Sequence, residues 1–249
     1  MRRNAWSREE LIVAFNLYCR LPFGKIHIRN PQIIELAKAL GRTPSALSWK
    51  LANFARLDPS LRKRNVRGAT HGARAEVQIW DEFNDDWERL TFESERLLRK
   101  MSASTFPVAE DFPVGTTREA IVRVRVNQSF FRAAVLAAYG ARCCITGIAI
   151  PELLNASHIV PWSVDLRNRT NPQNGLCLNA IHDRAFDCGL ITIRSDLRVG
   201  ISRRLKDLGS DEPVRDFFLR WEGHSVEVPS HFPPAPEFLN YHNEHVFRH

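Results

Sequence analysis

His158 stands at the end of an apolar stretch, Asn155-Ala-Ser-His-Ile-Val-Pro-Trp162. Asn174 follows 16 residues later in Asn174-Gly-Leu-Cys-Leu-Asn179, and His182 comes eight residues after that, in a segment with a helical pattern. A neutral imidazole can take a proton from water. An amide can pin the chain that carries such a base, and a second imidazole can ligate a cation that offsets charge on a phosphate. Phosphodiester hydrolysis needs this set. Either histidine alone fits an ordinary core or surface position equally well; the ordered set carries the inference.

The elements expected to position these groups are short. Strands are expected at 143–146, 156–161 and 190–193, with a helix over 179–187 between the last two. A helix over 127–139, with Phe130, Phe131, Val135 and Leu136 on its apolar side, precedes them. Beyond Arg203 the pattern suggests a short helix at 214–220, a strand pair around 221–228 and a Pro-rich stretch. Residues 101–117, rich in small residues and carrying Pro107 and Pro113, have neither helical nor strand period and read as a linker. Upstream of it, helices are expected from Ser7 as N-cap, over 31–40, from Thr43 and Pro44 to about 54, and over 76–101. The fold class is α+β: a helical domain at 1–100, the linker at 101–117 and a catalytic domain at 118–249.

The chain has 249 residues, 44% apolar and 25% charged, enough for a real core and unlike a disordered or fibrous chain. No apolar run approaches the ~18–20 residues of a membrane span. The start, MRRNAWSREE, does not read as a signal peptide. Five cysteines, an odd number, fit free thiols in a reducing cytoplasm. The net charge of +7 is unevenly placed: residues 1–75 carry +11 and the remainder −4. Such asymmetry is the expected footprint of a nucleic-acid-binding half, with a solvated basic face as the plain alternative.

Within the basic half, Leu36-Ala-Lys-Ala-Leu-Gly-Arg-Thr-Pro-Ser-Ala-Leu47 has the spacing of a helix-turn-helix. Together with Trp6-Ser-Arg-Glu-Glu-Leu11 it resembles the three-helix, Myb-like class of DNA-binding units. In that arrangement the helix from Thr43 would enter the major groove. Ser45, Ser48, Trp49 and Asn53 are then candidate base readers. Arg42, Lys50, Arg56, Arg62, Lys63 and Arg64 are candidate phosphate contacts. A partly buried core position is the competing expectation for Trp49.

In the acidic half, Arg142-Cys-Cys-Ile-Thr-Gly147, Ala156-Ser-His-Ile-Val-Pro161, Asn174-Gly-Leu176 and Leu178-Asn-Ala-Ile-His-Asp-Arg-Ala-Phe-Asp-Cys-Gly-Leu-Ile191 resemble the HNH (ββα-metal) endonuclease family. The likeness, over roughly 117–247, is to the branch found in bacterial restriction systems. It implies His158 as general base, Asn174 as the structural asparagine and His182 as a metal ligand, with Mg²⁺ or Mn²⁺ as cofactor. It implies double-stranded DNA as the partner; cutting both strands with one such site per chain would require two chains, hence a homodimer at least on DNA.

Two departures stand out. Ser157 replaces the Asp that many members carry before the base, and a hydroxyl binds a hard cation less well than a carboxylate. The replacement ligand could be Ser157 itself, Asp187, Asp183 or a backbone oxygen, while Asp187 could instead fix the helix end before Gly189. The second departure is Gly147 in the second position of the Cys-x-x-Cys pattern, which argues against structural zinc. His27, His71, His224 and His231 are expected at the surface or in loops, and His242 and His245 in packing or phosphate contact. The reading that follows is a DNA endonuclease, of a restriction kind acting on cytosine-modified foreign DNA. A DNA-binding regulator with an inactive nuclease fold, and a phage or homing-type nicking enzyme, are the alternatives.

Overall fold

The computed structural model describes residues 5–63, 74–101, 118–229 and 231–249. Most of the expected linker, and Arg64, lie outside the described residues, as does the side chain of Lys63. The chain divides into two compact units, 1–134 and 135–249.

The first unit is helical: α1 (Arg8–Cys19), α2 (Pro31–Ala39), α3 (Pro44–Ala55), α4 (Pro59–Lys63), α5 (Arg74–Phe83), α6 (Trp87–Met101) and α7 (Arg118–Ala138), whose last residues fall in the second unit. α1 starts from a reciprocal capping box, in which Ser7 Oγ accepts from the Glu10 amide and the Glu10 carboxylate accepts from the Ser7 amide. Every residue of α1 from Glu10 to Cys19 is buried, as a central helix requires. Phe15 packs its ring 4.9 Å from Phe54 and 5.3 Å from Trp80. Tyr18 donates to the buried Asp58 at 3.0 Å. The single helix expected over 76–101 is two, because Asp86 restarts the chain by accepting from the Arg89 amide. α2 and α3 are capped by Asn30 and Thr43, each followed by proline, and Gly41 at φ +60° makes the turn between them.

The second unit holds β1 (Leu154–His158) and β2 (Gly175–Asn179), antiparallel, with His158 opposite Gly175 and Ser157 opposite Leu176. α8 (Ala180–Asp187) follows directly, started by Asn179, whose Oδ1 accepts from the amides of Ile181 and His182. A second hairpin, β3 (Ile191–Ile193) with β4 (Val199–Ile201), comes next, then α9 (Arg203–Asp207), α10 (Glu212–Phe217) and α11 (Pro236–His245), which packs on β3. α8 ends at Gly189, at φ +68°, where an added Cβ would lie 2.0 Å from the Val246 carbonyl oxygen. Only glycine fits there.

Three expectations differ here. Residues 143–146 form a turn rather than a strand, closed by Gly147 N–H to Cys143 O at 2.9 Å with Gly147 at φ +72°. The strand pair expected near 221–228 is a single bridge between Arg198 and Ser225. His231 is fully buried rather than at the surface.

Candidate active site

β1 delivers His158 at its end, and the loop from 159 to 174 folds back over it. Asn174, 1% exposed, holds that loop: its Oδ1 accepts from the Val160 amide at 2.8 Å, and its Nδ2 donates to the carbonyls of Val160 and Asn168. Asp165 ties the middle of the loop by accepting from the amides of Arg167 and Asn168. His158 Nε2–H donates to the Arg169 carbonyl at 2.9 Å, which leaves the basic lone pair on Nδ1. The ring stands edge-on to Trp162, which also lies under the Arg169 guanidinium. Burial pushes the His158 pKa below the ordinary value, against the opposing effects of the Arg169 carbonyl and the nearby Asp183 carboxylate. The imidazole is therefore neutral at neutral pH, the state a general base requires.

α8 sorts its side chains by helical phase. His182, Ala185 and Phe186 point inward, while Asp183 and Asp187 share another face at i,i+4 spacing. His182 is 2% exposed and its ring is engaged at both nitrogens: Nε2–H donates to the Phe217 carbonyl at 2.7 Å, and Nδ1 accepts from Asn179 Nδ2 at 2.9 Å. It does not present a lone pair to a cation in this arrangement. In this arrangement the ring fastens the start of α8 to the end of α10. Beside it, burial pushes the Cys143 thiol up, but hydrogen bonding with His182 and Thr146 outweighs burial and brings its pKa to about 7.

The acidic pair behaves differently. Asp183 accepts from Asn155 Nδ2 at 2.7 Å. Asp187 makes no hydrogen bond or ion pair with any described residue, so it does not fix the helix end. Burial and then the Asp183 carboxylate raise its pKa. Ser157, 3% exposed, has its Oγ shut off from solvent with no described partner. The Ser157 hydroxyl and the Asp183 and Asp187 carboxylates are hard-oxygen donors of the kind a divalent cation takes. No cluster of three or more His, Cys, Asp or Glu residues forms a metal site among the described residues, so any such site draws on Ser157 or water as well. Cys144 and Cys177 are buried and joined through backbone, Cys144 N–H to Cys177 O at 2.8 Å.

Residues 143–194 match the family model described as HNH endonuclease. This stretch is similar to the HNH endonuclease family. No curated protein matches the chain. The matched residues contain β1, the Asn174-pinned loop, β2 and α8, and with them His158, Asn174, His182, Asp183 and Asp187. HNH nucleases generally use a divalent metal ion, in keeping with the donor set on α8 and Ser157.

The candidate DNA-contacting residues of the helical unit separate into two groups. Asn53, at 3% exposure, donates from Nδ2 to Glu76 at 3.0 Å and faces the interior, which corrects its expected place as a base reader. Lys50 pairs with the same buried Glu76. Burial pushes the Glu76 carboxyl up, but the bonds from Lys50 and Asn53 prevail and hold its pKa below the ordinary value. Arg42 grips Glu10 through Nε and Nη2 at 2.9 and 2.8 Å and covers the Trp6 ring. Arg42 and Lys50 are thus internal fasteners rather than outward phosphate contacts. Ser45 and Trp49 face out from α3, Trp49 at 64% exposure, so the core position weighed for Trp49 does not hold. Ser48 is half-buried with its Oγ unpartnered, as is Arg56 Nε. Arg62 is exposed and donates to the Arg56 carbonyl. No helix of the described residues is long and apolar enough to cross a membrane.

Proposed function

We propose that the protein is a metal-dependent DNA endonuclease in which His158 activates the attacking water. The observation that carries this reading is the anchoring of His158 Nε2 on the Arg169 carbonyl, beside an α8 face bearing the Asp183 and Asp187 carboxylates. Asn174 fixes the loop, so the His158 Nδ1 lone pair has one orientation rather than many. Asp183 and Asp187, with Ser157, are the groups that would hold the cation; Asn155 and His182 keep α8 in place. The cation, when bound, supplies positive charge against the phosphate and the leaving oxygen.

The helical unit supplies affinity through its basic surface, with Arg56, Arg62, Lys63 and Arg64 as phosphate contacts. The outward face of α3, with Ser45 and Trp49, reads the major groove. A group on cytosine C5 projects into that groove, and an exposed indole offers it an apolar face. This supports a restriction role against cytosine-modified DNA. One base per chain implies two chains for a double-strand break, hence a homodimer on DNA.

Incubation of plasmids carrying cytosine, 5-methylcytosine or 5-hydroxymethylcytosine with Mg²⁺, Mn²⁺ or EDTA tests this. Metal-dependent cleavage at least about tenfold faster on modified plasmid is expected, since one good major-groove contact discriminates by ~1–3 kcal/mol. Equal cutting would remove the modification reading and leave the nuclease. No cutting of any plasmid with either metal would remove the nuclease.

A further inference from the structure

The loop between β1 and β2 spends its carboxylate and amide side chains on itself. Asp165 accepts from the amides of Arg167 and Asn168 and from Asn168 Nδ2 at 2.7 Å. Asn171 donates to Asn168 Oδ1 and accepts from the Gln173 amide, and Asn174 closes the loop on Val160 and Asn168. Arg169 departs from this pattern. Its Nε donates to the Trp162 carbonyl at 2.8 Å, and its Cζ lies 5.0 Å from the centre of the Trp162 ring. Its two Nη nitrogens make no hydrogen bond or ion pair with any described residue, and the side chain is only half-buried. Asp165, in the same loop, is committed to its amides and does not pair with it. A guanidinium fixed by one nitrogen and one face presents its remaining nitrogens as a preset fork, a geometry suited to the oxygens of a phosphate.

The fork stands beside the base. The His158 ring lies 5.4 Å from the same Trp162 ring, and the Arg169 carbonyl accepts from His158 Nε2 at 2.9 Å. Imidazole, indole and guanidinium are thus one unit, with base and cation no farther apart than the indole they share. The charge that acts on His158 from α8 is negative: Asp183, with Asp187 one turn on. A phosphodiester approaching His158 meets those carboxylates, and Arg169 is placed to offset them from the loop side.

We propose that Arg169 is a phosphate clamp of this site: its Nη pair takes the non-bridging oxygens of a substrate phosphodiester beside His158, while its own carbonyl holds the His158 ring. One residue thereby ties the position of the phosphate to the orientation of the base. The choice of a phosphodiester as the anion rests on the nuclease reading.

The test reads binding and cleavage separately. Anisotropy of a short labelled duplex, titrated with the full chain in EDTA across a salt series, reports the number of phosphates neutralised. Arg169→Gln, with unchanged circular dichroism, should lower the slope of log affinity against log salt by about one. It should also slow metal-supported plasmid cleavage at least about tenfold. Arg169→Lys keeps the charge but loses the Nε bond to Trp162, so it should keep the wild-type slope and cleave at a rate between wild type and Arg169→Gln. Arg169→Met, which keeps an apolar stem on Trp162, serves if Arg169→Gln does not fold. A side chain that only braced the loop would leave the slope unchanged in Arg169→Gln, or give Arg169→Lys the slope of Arg169→Gln. Either result, or no binding of the duplex by the wild-type chain, would overturn the proposal. A lowered slope without cleavage of any DNA keeps the phosphate contact and removes the nuclease; cleavage with an unchanged slope does the reverse.

Discussion

Replacing Asp187 with asparagine should stabilise the metal-free protein while removing its activity. Asp183 and Asp187 stand four residues apart on α8, and burial and the Asp183 carboxylate raise the Asp187 pKa against the smaller opposing effect of Arg184. Like charges at this spacing cost about 0.2–0.5 kcal/mol. For a unit of this size that gain raises the melting temperature by roughly 1–3 °C. The pH dependence follows from the sign of the shift. The folded-state pKa of Asp187 is raised, so the native state is favoured when the group is protonated, and that stability is lost as pH rises through the folded value. The gap between variant and wild type should therefore be present at neutral pH and close in acid. With metal the order reverses: a ligand at 100 times its Kd stabilises by ~2.7 kcal/mol, which the wild type should gain and Asp187→Asn should largely lose. Urea denaturation with EDTA and with Mn²⁺, beside plasmid cleavage, measures all three quantities. A variant less stable than wild type without metal, or one that keeps both metal stabilisation and cleavage, would refute the reasoning.

Two further outcomes rest on packing. Gly189→Ala should cost about 3 kcal/mol, combining a left-handed backbone with a Cβ driven onto the Val246 carbonyl; an unchanged denaturation midpoint would contradict that close approach. His242 is 1% exposed, stacked on Phe186 at 3.6 Å and hydrogen-bonded with Thr192, and burial lowers its pKa to about 4. Because the folded state resists protonation, roughly 3 kcal/mol of stability should be lost as pH falls from about 6.5 towards 4. His242→Gln should flatten that slope, and an equally steep slope in the variant would place the titration elsewhere.

The parts of this protein that follow local rules were legible from its sequence. The caps of α1, α2 and α3, the turn at Gly41, and the joining of His158 and Asn174 by a loop are encoded by neighbouring residues. What distance in sequence conceals was not. Arg42, Lys50 and Asn53 look like surface contacts on a basic helix until Glu10 and Glu76 arrive from other helices to claim them. Nor does the local sequence show that the phase of α8 turns His182 inward onto Phe217, 35 residues away. The i,i+4 spacing of Asp183 and Asp187 was the available signal for the outward face.

The central claim is that His158 is the base of an HNH nuclease, and single-turnover cleavage of plasmid DNA by His158→Ala tests it most directly. Loss of a general base costs ~10²–10⁴ in rate. The account therefore predicts at least a 100-fold slower cleavage with Mg²⁺ or Mn²⁺, and DNA binding by mobility shift equal to that of the wild type. Cleavage within a few fold of wild type would contradict it.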